Sequence, residues 1–240
     1  MTPEQQMLAA VTRSLRALGS TAPQISLVQY KGYIYTAYIA SLIADALKRV
    51  QGVRVSIAQT RTGRFDYPLG PSRIYSRGAS YYIIKTRTTT YEMHLCCKCN
   101  GRSGTEHELD IVILPKDVAD QCRSSWGVNP KTDQVIFLVE CKNVGAIELS
   151  VGREFLGLSS EFPFRPKPKR VGTRRRATER AKNGMGAFVA TLTSIGDMPT
   201  AFQLVKKRKL LAVPFLEPGK PSTEQDFQFA VRSTLKPFLT

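Results

Sequence analysis

QVIFLVECKNVG, residues 134–145, is the stretch that decides the fold: an almost wholly apolar run that stops at Glu140, Cys141 and Lys142. Strand side chains alternate between faces, so Glu140 and Lys142 share a face with Ile136 and Leu138. Taken alone, Glu-x-Lys at a strand end reads as an ordinary ion pair. A second run, HELDIVIL (107–114), is also apolar until one end. By the same alternation Glu108 and Asp110 share a face with Val112 and Leu114. If the two strands pair, Asp110 meets Glu140 with Lys142 beside them. Two carboxylates held together raise each other's pKa unless a cation sits between them. Mg²⁺ takes oxygen ligands in octahedral geometry, with one or two carboxylates and the rest water or phosphate. Asp110 and Glu140 supply those carboxylates, and the backbone carbonyl of Cys141 supplies a third oxygen. Lys142 is placed to orient or activate water and to offset charge on a phosphate.

Outward from these strands the chain alternates helix and strand patterns. Residues 3–18 carry Leu8, Val11, Leu15 and Leu18 at helical spacing, with Thr2 as N-cap and Pro3 in the first turn. Residues 33–50 are apolar round most of a helix, as a core helix is. VRVSIAQT (53–60) alternates as a strand, and residues 61–78 form a loop rich in Gly, Pro and Arg. Residues 81–100 are dense in β-branched and aromatic side chains. GRSG (101–104) is a turn, and residues 116–134 read as a polar connection that holds the only tryptophan, Trp126. After the motif come a helix at 147–161 and a flexible basic arm at 164–184. A strand at 186–194, a helix at 199–210, a strand at 210–218 and a closing helix at 222–238 complete the order. This is an α/β chain with a mixed central β-sheet flanked by helices.

The chain has 240 residues, 42% of them hydrophobic, and a net charge of +16 from 35 Lys+Arg against 19 Asp+Glu. That excess favours a polyanionic partner, nucleic acid first. No run approaches the ~18 apolar residues that span a bilayer. The N-terminus is polar from the start, unlike a secretion signal. Five cysteines, three of them crowded at 96–99, do not suit a secreted disulfide framework. The expectation is a cytoplasmic protein with no membrane partner.

ELD at 108–110 followed by VECKN at 139–143 resembles the core motif of the PD-(D/E)XK nuclease superfamily. The order of elements over residues 30–216 is similar to restriction-endonuclease-like domains of the Mrr type. Asp110 matches the family's Asp, and Glu140 and Lys142 match its (D/E)XK pair. The resemblance implies a restriction-endonuclease-like core over residues 30–240, preceded by an N-terminal helix and linker over 1–29. It implies a Mg²⁺-dependent endonuclease, with Mn²⁺ as a substitute, that hydrolyses DNA and leaves a 5′-phosphate. Asp110, Glu140 and Lys142 would be catalytic; Asp110, Glu140 and Cys141 would hold the metal. Restriction and defence against phage or mobile elements are settings such an enzyme serves. Two features depart from the pattern. The first core helix lacks the acid many members carry, with Thr36 in that region and Asp45 the only acid, and Leu109 replaces the proline before the motif Asp. Arg153, Glu154 and Asn143 are candidates to support the site.

Other motifs carry weaker signals. HLCCKC (94–99) invites zinc, but its cysteines fall inside a strand pattern, with Cys97 and Cys99 on one face and His94 and Cys96 on the other. No second CxxC accompanies them, so buried strand cysteines are the better reading. Cys141 has no Cys/His/Asp set to make it a nucleophile. The basic arm supplies Lys167, Lys169, Arg170, Arg174, Arg175 and Arg176 as phosphate-contact candidates, and the earlier loop supplies Arg73 and Arg77. Arg61 and Arg64 lie in that same loop. Tyr67 and Tyr75 there are candidates for base stacking. The partner expected is DNA, with a homodimer left open and no small-molecule substrate. A non-catalytic DNA- or RNA-binding protein on the same scaffold is the rival reading, and an RNase on this fold a third.

Overall fold

The computed structural model describes residues 1–20, 31–58, 65–68, 70–74, 79–142, 149–162, 187–191, 211–213 and 216–239. The basic arm at 164–184, the helix expected at 199–210, and Arg61, Arg64, Tyr75, Arg77 and Asn143 lie outside the described residues.

Helix α1 (Pro3–Arg16) starts with a capping box. The Gln5 N–H donates to Thr2 Oγ1 at 3.3 Å, and the Thr2 N–H donates to Gln5 Oε1 at 2.9 Å, so two orphan donors are satisfied together. Met7, Val11 and Leu15 are its buried stripe. Helix α2 (Lys31–Lys48) is buried almost all round: from Ile34 to Leu47 only Asp45 reaches solvent appreciably. That residue accepts a hydrogen bond from Ser14 Oγ at 3.1 Å, which ties α2 to α1.

The sheet follows the chain. Strands β1 (Arg54–Ala58), β2 (Tyr81–Lys85), β3 (Thr90–Asn100), β4 (Glu106–Pro115) and β5 (Phe137–Lys142) pair in sequence order, each antiparallel to the last. Strands β6 (Ala187–Thr191) and β7 (Leu211–Val213) then add in parallel to β5. Parallel neighbours need a crossover, and helix α4 (Leu149–Glu161) lies in the one between β5 and β6. The result is a seven-stranded mixed sheet flanked by helices, the α/β class expected.

Each face of the sheet has its own core. One cluster joins Tyr91, Met93, Leu95, Ile111, Ile113, Phe137 and Val139 to α1, α2 and the last helix, α5 (Pro221–Leu239). The other joins Cys97, Cys99, Leu109, Val112, Leu114 and Leu138 to Phe162 and to Ala119 and Cys122. Those last two belong to helix α3 (Lys116–Ser124), inside the connection expected to be irregular. Only two of its nine residues are buried, so its apolar periodicity is too sparse to see beside its charges. Tyr67 likewise departs from expectation. It is buried in the first core with its hydroxyl 3.1 Å from that of Tyr82, so it offers no stacking face.

One fully buried acid is fixed by the second layer. Glu92 on β3 is 0% exposed. Arg123 grips it with both Nη atoms at 2.7 and 2.8 Å, and His94 Nε2 lies 2.9 Å away. Asp120 holds Arg123 in turn, and Tyr81 lies beneath the guanidinium. Burial pushes the Glu92 pKa up, but the His94 and Arg123 contacts outweigh it and the net shift is down. A depressed carboxylate pKa contributes stability above the ordinary glutamate range, and that contribution is lost as pH falls through the lower folded value. Arg123→Ala should therefore cost roughly 3 kcal/mol in urea unfolding at neutral pH, because it strands a buried charge. Acidification from the ordinary glutamate range down through the lower folded value should shrink the gap between variant and wild type. A gap that widens on acidification would contradict this account.

Candidate functional site

The pairing of β4 with β5 runs Ile113↔Phe137, Val112↔Leu138 and Ile111↔Val139, then stops. The next two residues to face each other would be Asp110 and Glu140. The ladder ends where two acids meet, and the strands are held there by a side chain instead. Asp110 Oδ2 accepts a hydrogen bond from the Cys141 N–H at 2.6 Å. In an extended strand the N–H and C=O of one residue point to the same edge, so the Cys141 carbonyl is directed into the same gap.

Glu140 is 9% exposed, and its Oε1 is buried with no hydrogen-bond partner among the described residues. Burial and the Asp110 charge push its pKa well up, against a smaller pull from the Lys142 charge. Asp110 is raised as well, chiefly by burial, although the Cys141 N–H and Lys142 draw it down. Glu108, further out, is raised by burial and then by Asp110. The Lys142 ammonium does not pair with Glu140. Its ion-pair contact among the described residues is Glu154 Oε2 on α4, at 4.0 Å, with the two side chains 33% and 68% exposed. Asp110, Glu140 and Lys142 are thus brought to one place.

The donor set suits a hard cation. It offers two carboxylates, one with a buried oxygen that nothing among the described residues satisfies, beside the Cys141 backbone that donates to Asp110. Among the described residues, no group of three or more His, Cys, Asp or Glu side chains could hold a metal ion, so any further ligands would be water, backbone or substrate oxygen.

Other candidate positions resolve differently. Arg73 donates to Glu106 Oε2 at 3.0 Å and is one-third exposed. The acid of α2, Asp45, serves the contact with α1. Thr36, buried on α2, hydrogen-bonds the Cys141 thiol and so seats the helix against the motif strand. The crowded cysteines are buried and free, with Cys97 and Cys99 Sγ 4.0 Å apart. His94 is committed to Glu92, and His107 packs edge-on against Phe162.

The face assignments of β3 and β4 need correction. Leu95 and Cys97, two residues apart, would share a face in a regular strand. Here Leu95 packs in the first core and Cys97 in the second. Ile111 and Leu109 across the ladder divide in the same way. Asp110 therefore does not simply continue the row of Val112 and Leu114, and Cys96 joins the first core rather than the row of His94. The slip occurs at Cys96, whose φ is +49°. No composition signal marks a left-handed cysteine, so sequence alternation passes over it.

No protein-family model matches the chain, and no curated protein does. Among solved structures, it is similar to P. aeruginosa ATCC27853 NucC in its cAAA-bound form, at 11% identity and a TM-score of 0.38, over 100% of this chain and 92% of that one. E. coli MS115-1 NucC in its cAAA-bound form is similar at 8% identity and a TM-score of 0.39, over 99% of this chain and 90% of that one. At TM-scores this low, neither the fold nor the activity assigned to the present chain rests on them.

Burying Glu140 beside Asp110 costs stability that a structural role would not require. Glu140→Gln keeps the shape and removes the charge. In EDTA it should be more stable than wild type by about 1–2 kcal/mol, as relief of a strained functional site commonly is. Mg²⁺ should raise the melting temperature of wild type and not of the variant. A variant no more stable than wild type in EDTA would show that the buried charge carries no such penalty.

Proposed function

We propose that this chain is a Mg²⁺-dependent nuclease that hydrolyses DNA phosphodiester bonds at the Asp110–Glu140–Lys142 site. One observation carries the reading: the β4–β5 ladder ends at Asp110 and Glu140, and Glu140 keeps a buried oxygen with no hydrogen-bond partner among the described residues. A strand-end salt bridge would have joined Glu140 to Lys142, and Lys142 lies instead against exposed Glu154. The basic composition of the chain supports a polyanionic substrate.

Bound Mg²⁺ would polarise a phosphoryl oxygen and lower the pKa of a coordinated water. Asp110 and Glu140 would hold the ion, with the Cys141 carbonyl as a third oxygen. Asp110 is preoriented for this by the Cys141 N–H. Lys142, one-third exposed, acts on both carboxylates through its charge and would face an incoming phosphate. There it would align the attacking water opposite the leaving oxygen and offset charge gathering on the phosphate. The P–O bond to the 3′ oxygen breaks as the new P–O bond to water forms, which leaves a 5′-phosphate. Defence against phage or mobile elements is one setting for this activity.

A specific observation favours the rival, a non-catalytic nucleic-acid binder. Among the described residues no group of three acids converges, and α2 contributes Thr36 rather than a third acid. The two readings separate in one assay on plasmid and labelled DNA. The nuclease should nick with Mg²⁺ and stop with EDTA, and Asp110→Ala should abolish cleavage while DNA binding stays within a few-fold. Lys142→Ala should lower the rate by about 10²–10⁴-fold. Salt-sensitive binding without cleavage under any divalent ion would establish the binder.

A further inference from the structure

Cys96 is the one non-glycine residue with positive φ among the described residues, at +49°. A side chain in that region is uncommon and costs free energy, so the surrounding structure must enforce it. Enforcement is visible on the edge of β3 away from β4. The Cys96 carbonyl accepts the Ser72 N–H at 2.7 Å, and the Lys98 N–H donates to the Ser72 carbonyl at 2.9 Å. Ser72 thus clamps the strand on both sides of Cys97 through a one-residue bridge. The side chain of Cys96 is 2% exposed, within the first core.

The consequence falls on the strand opposite. Pairing of β3 with β4 includes Leu95↔Ile111 and Cys97↔Leu109 but omits Cys96 and Asp110. Core residues change face across that gap, with Leu95 and Ile111 on one side and Cys97 and Leu109 on the other. Asp110 sits at the pivot. Freed from a regular ladder, its carboxylate reaches across to the Cys141 N–H on β5.

We infer that the left-handed backbone at Cys96, locked by Ser72, is a positioning device that swings Asp110 out of the β3–β4 ladder and into the gap beside Glu140. Cys96 does not touch substrate in this scheme, and its thiol is dispensable. What counts is that residue 96 takes a positive φ. The inference deepens the nuclease reading, yet the geometry it concerns can be read without any cleavage.

Three substitutions separate backbone from side chain. Cys96→Gly makes the left-handed conformation easy, Cys96→Ala removes the thiol but keeps a Cβ, and Cys96→Val penalises positive φ most. The direct readout is hydrogen exchange of the Cys141 amide, the donor to Asp110, compared with the amide of Phe137 inside the β4–β5 pairing. Asp110→Ala sets the value for a lost bond. Calorimetric Mn²⁺ binding is the second readout. In Cys96→Val, Cys141 protection should fall about tenfold relative to Phe137, and Mn²⁺ affinity should fall by a similar factor. Cys96→Gly and Cys96→Ala should stay within about twofold of wild type on both. The inference is overturned if folded Cys96→Val keeps wild-type Cys141 protection, or if Cys96→Gly loses as much protection as Asp110→Ala. Should Cys96→Val fail to fold, the Gly and Ala variants decide. Retained protection in both supports the device, and loss in either overturns it. Wild type that binds no Mn²⁺ yet shows the expected exchange pattern would remove the nuclease reading and leave the positioning intact.

Discussion

Asp110 and the Cys141 N–H meet at 2.6 Å at the point where β4 and β5 cease to pair. This one bond substitutes a carboxylate for a backbone carbonyl in the sheet. A backbone pair there would have closed the ladder and left no opening. An aspartate holds the strands in register while placing a second oxygen, and a charge, in the gap. A hydrogen bond from an amide to a carboxylate is also stronger than its neutral equivalent. That strength lets the pair persist at the end of a sheet, where strands tend to separate. Glu140 is trapped opposite because its own strand is pinned on the other side by parallel pairing with β6.

Among the described residues two glutamates are deeply buried, Glu92 and Glu140, and their treatment differs. Glu92 is 0% exposed and saturated by a bidentate arginine and a histidine. Glu140 is 9% exposed and keeps an oxygen with no partner, beside another acid. Both sit on strands of the same sheet, so the sheet does not dictate the contrast. A fold that can satisfy one buried acid this fully has the means to satisfy the other. A buried acid left unsatisfied is what the proposed metal site would require of Glu140.

Much of the architecture was legible because it rests on periodicity. The apolar run of α2, the strands of VIFLVECK and HELDIVIL, and the N-cap Thr2 with Pro3 after it all state their roles locally. The meeting of Asp110 and Glu140 followed from two strands whose polar ends matched. Three features were not legible. Helix α3 buries only Ala119 and Cys122, too little to rise above its charges. Tyr67 lies in a loop rich in arginine, yet its ring completes the first core against Phe65 and Tyr82. The change of face at Cys96 breaks the rule of two on which strand reading depends, and it does so at an ordinary residue type. Alternation thus put Asp110 at the site while misjudging how it gets there.

A site of acids in a basic chain poses a problem of approach. Two carboxylates repel a polyanion, and screening in salt weakens any single counter-charge over about 10 Å. Lys142 alone cannot solve this, being shared with Glu154 at 4.0 Å. A cation held between the acids changes the local sign, because a bound divalent ion becomes the largest charge in its surroundings. The net charge of +16 would act at longer range, drawing a polyanion toward the protein before contact. The two effects are separable in principle: one depends on the concentration of divalent metal, the other on ionic strength. On the proposed function, the carboxylates would serve binding only once a metal is present, and the basic surroundings would serve it throughout. Under the proposed nuclease reading, that division of labour is what a metal-dependent enzyme acting on nucleic acid would need from Asp110 and Glu140.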